Sequence, residues 1–130
     1  MVTPGTSGPG CPCGSGLAYA ACCEPLHDGR ARAETAEQLM RSRYAAYARG
    51  RTDYVFRTWH PRTRPAEVEP VPGLVWKGLS VLAVGAGGAD DDTGTVEFEA
   101  SHDGPGGPGV LHERSRFVRR ADRWVYLEAE

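Results

Sequence analysis

No apolar run in this sequence approaches the ~20 residues that a membrane-crossing helix requires. The opening stretch, Met-Val-Thr-Pro-Gly-Thr-Ser-Gly-Pro-Gly, has neither the basic nor the apolar segment of a secretory signal. The chain also lacks a charge excess. Fifteen basic against seventeen acidic residues leave a net charge of −2, which offers no general attraction to nucleic acid or to an anionic membrane. The Gly-rich runs at 85–88 and 104–109 sit between strand-like segments and do not form a phosphate-binding loop, and no strained elbow surrounds any serine. Cysteine is absent outside one short window. These absences argue against a membrane-spanning helix and weaken nucleic-acid and nucleotide binding, and the compartment they lead one to expect is the cytoplasm.

Within that window stand Cys11, Cys13, Cys22 and Cys23. Four thiols so close together suit one tetrahedral ion at a metal–sulfur distance of about 2.3 Å. A reducing compartment disfavours the alternatives of two disulfides; four free thiols are the remaining choice. The economical reading is a single structural Zn2+ in a knuckle. Pro12 stiffens the first pair, Gly14 and Gly16 permit a tight loop, and Ser15 is placed to cap a short helix from Leu17 to Cys23. Four cysteines fill the coordination sphere, which argues against a catalytic metal with an open position.

At 130 residues the chain can bury one moderate core beside this knuckle. Residues 1–10 read as a disordered leader, residues 11–32 as the knuckle and a linker, and residues 33–130 as the main domain. Glu34 to Gly50 reads as a helix, with Thr35 and Gln38 as a capping box and Leu39, Met40, Tyr44 and Tyr47 at helical spacing. Thr52 is a candidate cap for a second helix carrying Tyr54, Val55, Phe56 and Trp59, stopped by Pro61. Beyond Pro72 the pattern alternates. Val75–Val84, Thr95–Ser101, Val110–Arg119 and Arg123–Leu127 read as four strands of an antiparallel meander, with Asp103–Gly109 as a loop. A sheet with one apolar face needs the helices against it, so the class is α+β.

Parity assigns faces. Val96, Phe98 and Ala100 share one face of the second strand; Leu111, Glu113, Ser115 and Phe117 share one face of the third. Matching Phe98 with Phe117 as core puts Glu97 and Glu99 opposite Arg114 and Arg116 in a solvated ladder. The same choice turns Glu113 and Ser115 inward, where a carboxylate must be paired or line a wet cavity.

The motif Cys-Pro-Cys-Gly-Ser-Gly with Cys22-Cys23 resembles the SEC-C zinc motif first known from the SecA translocation ATPase. Met40-Arg41-Ser42-Arg43-Tyr44, Thr58-Trp59-His60-Pro61 and Leu111-His112-Glu113-Arg114-Ser115-Arg116-Phe117 are similar to the YchJ-like family of uncharacterised bacterial proteins. The resemblance implies a knuckle with zinc at the four cysteines, followed by a nuclear-transport-factor-two-like (NTF2-like, cystatin-like) cone of helices on a curved antiparallel sheet. Such cones serve as enzymes, binding scaffolds and dimerisation modules. Unlike SecA, Leu17–Ala21 carries no basic residue, and the sequence to Glu130 has no second cysteine motif.

The leading expectation is a non-enzymatic module, with a protein partner at the knuckle, a small apolar ligand in the cone, and a homodimer among the outcomes the fold allows. The alternative is a small hydrolase or isomerase in which His60 and Glu113 face one pocket beside Ser115. The reading preferred for His60 itself is that it closes the second helix and hydrogen-bonds a strand or turn. Glu113 could equally pair with Arg43, Arg62 or Arg64.

Overall fold

The computed structural model describes residues 10–130. The expected leader lies outside the described residues except for Gly10, which forms an isolated antiparallel bridge with Ala18. The elements run as a 3-10 turn at Tyr19–Ala21, then α1 Glu24–His27, α2 Ala36–Arg49, α3 Thr52–Arg57, β1 Val75–Ala86, β2 Thr93–Gly104, β3 Gly107–Arg120 and β4 Arg123–Ala129. The strands form one antiparallel sheet in the order β1-β2-β3-β4, and the helices pack on one face of it.

Helix α2 begins and ends where its capping residues dictate. Thr35 Oγ1 accepts from the Gln38 amide at 3.0 Å, while Gln38 Oε1 accepts from the Glu34 amide at 2.7 Å. At the other end Gly50 adopts φ 73°, and its amide reaches back to the carbonyls of Ala46 and Tyr47. The buried face is Ala36, Leu39, Met40, Arg43, Tyr44 and Ala46, whereas Tyr47 is exposed at the rim.

The second helix differs from expectation. Arg51, not Thr52, occupies the cap position without a side-chain bond, and α3 ends at Arg57. Thr58 Oγ1 donates to Tyr54 O at 2.6 Å, and the chain then leaves to run along β4. Tyr126 N donates to Thr58 O and His60 N donates to Tyr126 O, each at 2.8 Å.

The strands are longer than their sequence signals because the loops are shorter. Gly104 pairs with Gly107, so Pro105 and Gly106 alone make the turn, and most of the expected loop at 103–109 is strand. Arg120 pairs with Arg123 around Ala121 and Asp122, both at positive φ (52° and 65°), the conformation of a type I′ hairpin. A bulge between Arg116 and Phe117 sets Arg116 against Glu128 and Phe117 against Tyr126. Such a bulge bends the strand and re-aims its side chains.

The core faces fall as parity dictates: Val96, Phe98, Ala100, Ser115 and Phe117 are buried under Leu39, Met40 and Val55. Each large apolar side chain so buried contributes about 1.5–3 kcal/mol. Leu111 is the exception on that face, 41% exposed near the end of the sheet. The charge ladder is rearranged. Glu97 Oε2 contacts His112 Nε2 at 2.6 Å, and the arginines turn to β4, Arg114 to Glu130 at 3.0 Å and Arg116 to Glu128 at 2.9 Å. These pairs are solvated and worth only tenths of a kcal/mol, about 0.2–1.

Candidate metal centre and cavity

The four cysteine sulfurs lie within 4.8 Å of one another. Cys13 and Cys22 sulfurs are 3.6 Å apart, and those of Cys22 and Cys23 are 3.9 Å apart. A tetrahedral ion with metal–sulfur bonds of about 2.3 Å sets its ligands about 3.8 Å from one another, close to the two separations of 3.6 and 3.9 Å, so the set suits a four-coordinate ion. Gly14 and Gly16, at φ 81° and 87°, turn the loop, and the Cys11 amide donates to Leu17 O at 2.8 Å. Ser15 Oγ accepts from the Leu17 amide at 3.1 Å and lies 3.2 Å from Cys22 Sγ. It therefore closes a turn and touches a candidate ligand. The expected helix from Leu17 to Cys23 contracts to the 3-10 turn, and Ala18 stands at its cap.

The sulfurs are electrostatically crowded. The neighbouring Cys23 thiol holds Cys13 down at about 4, burial pushes Cys11 up to about 11, and its interaction with Cys13 pushes Cys23 upward. Without a cation only part of the set can ionise. A bound cation would reverse that preference, and the four thiolates are the groups that would hold it.

The knuckle is docked rather than tethered. Arg41 Nη1 donates to Cys13 O at 2.8 Å, and Ala45 of α2 packs among Cys11, Cys13, Tyr19 and Cys23. The segment expected as a linker, Glu24 to Arg32, opens with α1, where Pro25 occupies the first turn, Leu26 joins the main core, and His27 is 1% exposed. Proline suits a helix start because the amide it lacks would be unpaired there. His27 Nε2 donates to Ser42 O at 2.8 Å, which leaves Nδ1 to accept from Tyr19 Oη at 2.6 Å. Sequence reasoning missed His27; its place beside Leu26 after a helix-starting proline was the available signal.

A second feature is a cavity of about 310 Å³ between α2 and the sheet. Its walls are largely aromatic: Tyr44, Tyr47, Trp59, Trp76, Phe98, Phe117 and Tyr126. Glu113 and Ser115 line it together, as parity placed them, and Ser115 Oγ donates to Glu113 Oε2 at 2.6 Å. Tyr126 Oη donates to the same oxygen at 3.0 Å. Burial raises the Tyr126 phenol well above its ordinary value, so it stays a donor. His60 does not line the cavity; its Nδ1 accepts from the Arg62 amide at 3.0 Å, within its own turn. The structure thus brings Glu113 and Ser115 together and leaves His60 apart.

Arg43, which sequence reasoning raised only as a partner for Glu113, is 6% exposed and lines the cavity. No ion pair joins it to Glu113 among the described residues. Its Nη1 donates to Val55 O at 2.9 Å and Thr58 Oγ1 at 2.8 Å, and its guanidinium lies 4.7 Å from the Tyr126 ring centre and 5.1 Å from that of Trp59. Its position four residues from both Leu39 and Tyr47 put it on the helix face seen from the sequence.

Helices against an open four-stranded antiparallel sheet, enclosing a cavity and preceded by a four-cysteine loop, define an NTF2-like domain with an SEC-C motif. Residues 35–129 match the family described as YchJ, middle NTF2-like domain, and residues 10–25 match the SEC-C motif. The chain belongs to this family of YchJ-like proteins. A UPF0225 protein of Streptomyces coelicolor is 52% identical over 122 residues, covering 94% of this chain and 95% of the relative. One from Deinococcus radiodurans is 54% identical, covering 92% and 87%. The solution structure of an SEC-C motif containing protein from Rhodopseudomonas palustris superposes with a TM-score of 0.81 at 37% identity, over 92% of this chain and 96% of that one. A crystal structure of an SEC-C motif containing protein from Psychrobacter arcticus gives 0.71 at 30% identity, over 91% and 80%.

Proposed function

We propose that this protein is a zinc-stapled, non-enzymatic binding module of the cytoplasm whose working site is the cone cavity. The observation that carries it is the division of labour between the two features. The cysteine site uses all its ligands to close a loop onto α2, while the 310 Å³ cavity holds a nearly buried Arg43 and an inward Glu113 not bonded to each other. Largely apolar concavities with a few convergent polar groups are where small molecules bind. When bound, Zn2+ on Cys11, Cys13, Cys22 and Cys23 supplies folding free energy rather than an activated water.

The hydrolase or isomerase alternative loses support, because its proton-transfer pair needs His60 and Glu113 within reach of one substrate atom. A protein partner at the knuckle stays part of the proposal: one face docks on the chain's own helix, and Leu17 is 52% exposed beside it. Native mass spectrometry of the protein from a cytosolic extract tests the reading. One zinc per chain plus a small organic molecule released on denaturation is expected; stoichiometric zinc with turnover of a released substrate would overturn it.

A further inference from the structure

Two charged side chains of the cavity have bonding capacity left over, and Trp59, which also lines it, has its buried Nε1 without a partner among the described residues. Arg43 uses Nη1 for Val55 O and Thr58 Oγ1, and its Nε and Nη2 make no hydrogen bond among the described residues. Glu113 receives both of its hydroxyl donors at Oε2, and Oε1 makes none among the described residues. Both side chains line the same aromatic-walled space. One therefore offers donors, the other an acceptor, toward the same aromatic-walled space, where a ligand that displaces water must match them.

The charges decide what fits. Burial disfavours the Arg43 cation, and Glu113 is among the groups that offset this. The cavity is thus already close to charge balance. A carboxylate or phosphate ligand would satisfy Arg43 while facing the Glu113 carboxylate in a poorly solvated space, and a cationic ligand would meet the reverse difficulty. A pure hydrocarbon would leave both polar groups unmatched. An uncharged ligand with an acceptor and a donor side by side meets all three requirements.

Resting on the ligand-binding reading of this cavity, we propose that its ligand class is an uncharged, planar, mainly apolar compound carrying a carbonyl and an adjacent N–H or O–H. The carbonyl oxygen faces Arg43, and the N–H or O–H donates to Glu113 Oε1. The Arg43 guanidinium lies over both the Trp59 and the Tyr126 ring, which orients its donor edge, and the surrounding rings supply faces for a flat body.

Three probes sharing one ring system test this on the full zinc-loaded chain: 2-naphthamide, its isostere 2-naphthoate, and naphthalene without the polar group, titrated by calorimetry with amide chemical-shift mapping. The expected result is that 2-naphthamide binds at least about tenfold tighter than either other probe, because a site with buried polar groups rejects ligands that leave them unmatched. Shifts are expected at Trp59 and Phe117. In Glu113→Gln the preference of amide over carboxylate should shrink by about tenfold, since the variant removes the opposing charge. Equal or tighter binding of 2-naphthoate to the unsubstituted protein would overturn the ligand class without needing any variant to fold. Equal binding of naphthalene and the amide would overturn it too, while leaving the cavity reading intact. No binding and no shifts with any probe would overturn the cavity reading itself.

Discussion

Tyr19 and His27 are joined by a 2.6 Å hydrogen bond from the phenol to Nδ1, and His27 Nε2 continues the chain to the α2 carbonyl of Ser42. Ser42 Oγ in turn contacts Tyr54 Oη at 2.8 Å, so the knuckle, α1, α2 and α3 share one buried polar line. Such a line specifies how the knuckle sits, because each missing member leaves another unsatisfied. Tyr19→Phe removes the donor to His27 and should cost about 1–3 kcal/mol in urea unfolding. Zinc content should be unchanged, since Tyr19 holds the knuckle to the helices and does not hold the metal.

Metal removal should propagate beyond the loop. Cys22→Ser with Cys23→Ser should abolish zinc binding, and far-ultraviolet circular dichroism at 25 °C should keep the sheet signal. The melting temperature should nevertheless fall by on the order of 10 °C, because metal binding free energy is linked to folding and Leu26 sits in the main core. An unchanged melting temperature would make the knuckle an independent appendage.

Gly94 stands where β2 crosses the loop that receives α2. A Cβ there would lie 2.5 Å from the Gly87 Cα, and Gly87 O accepts the Ala36 amide at 2.9 Å. Gly94→Ala should destabilise the protein by about 3 kcal/mol or more, as overpacking against backbone does. Gly106→Ala, with nothing within 4 Å of the added carbon, is the control and should stay within about 1 kcal/mol of the parent.

The β3–β4 turn carries strain that can be relieved. Ala121 and Asp122 both hold positive φ, which costs a non-glycine residue about 1–2 kcal/mol. Replacing the pair by Asn-Gly should raise the melting temperature by several degrees, about 3–5 °C per kcal/mol recovered for a chain of this size. A decrease would show that Ala121 or Asp122 serves a contact beyond the turn.

Much of this architecture was legible in the chain. The α2 limits followed from Thr35, Gln38 and Gly50 because caps are local chemistry, and Glu113 was turned inward by parity alone. Pro25 and Gly29 suggested a linker after the knuckle, but proline marks either a turn or a helix start, and the burial of Leu26 decides between them. His60 was misplaced relative to Glu113 because α3 ends at Arg57 and the chain pairs with Tyr126, a long-range contact that no local signal encodes. Tyr126 faces the cavity through the Arg116–Phe117 bulge, and the charge ladder turned to β4 once Glu128 and Glu130 came within reach. Both outcomes depend on a strand partner whose register periodicity leaves open.

That the metal site is closed, and that function therefore lies in the cavity, is tested most directly by zinc K-edge X-ray absorption on the intact protein. The account predicts four sulfur scatterers at about 2.3 Å and no oxygen or nitrogen in the coordination sphere. A sphere of three sulfurs with a water-like oxygen at about 2.0–2.2 Å would contradict it, because an open position would put chemistry at the knuckle.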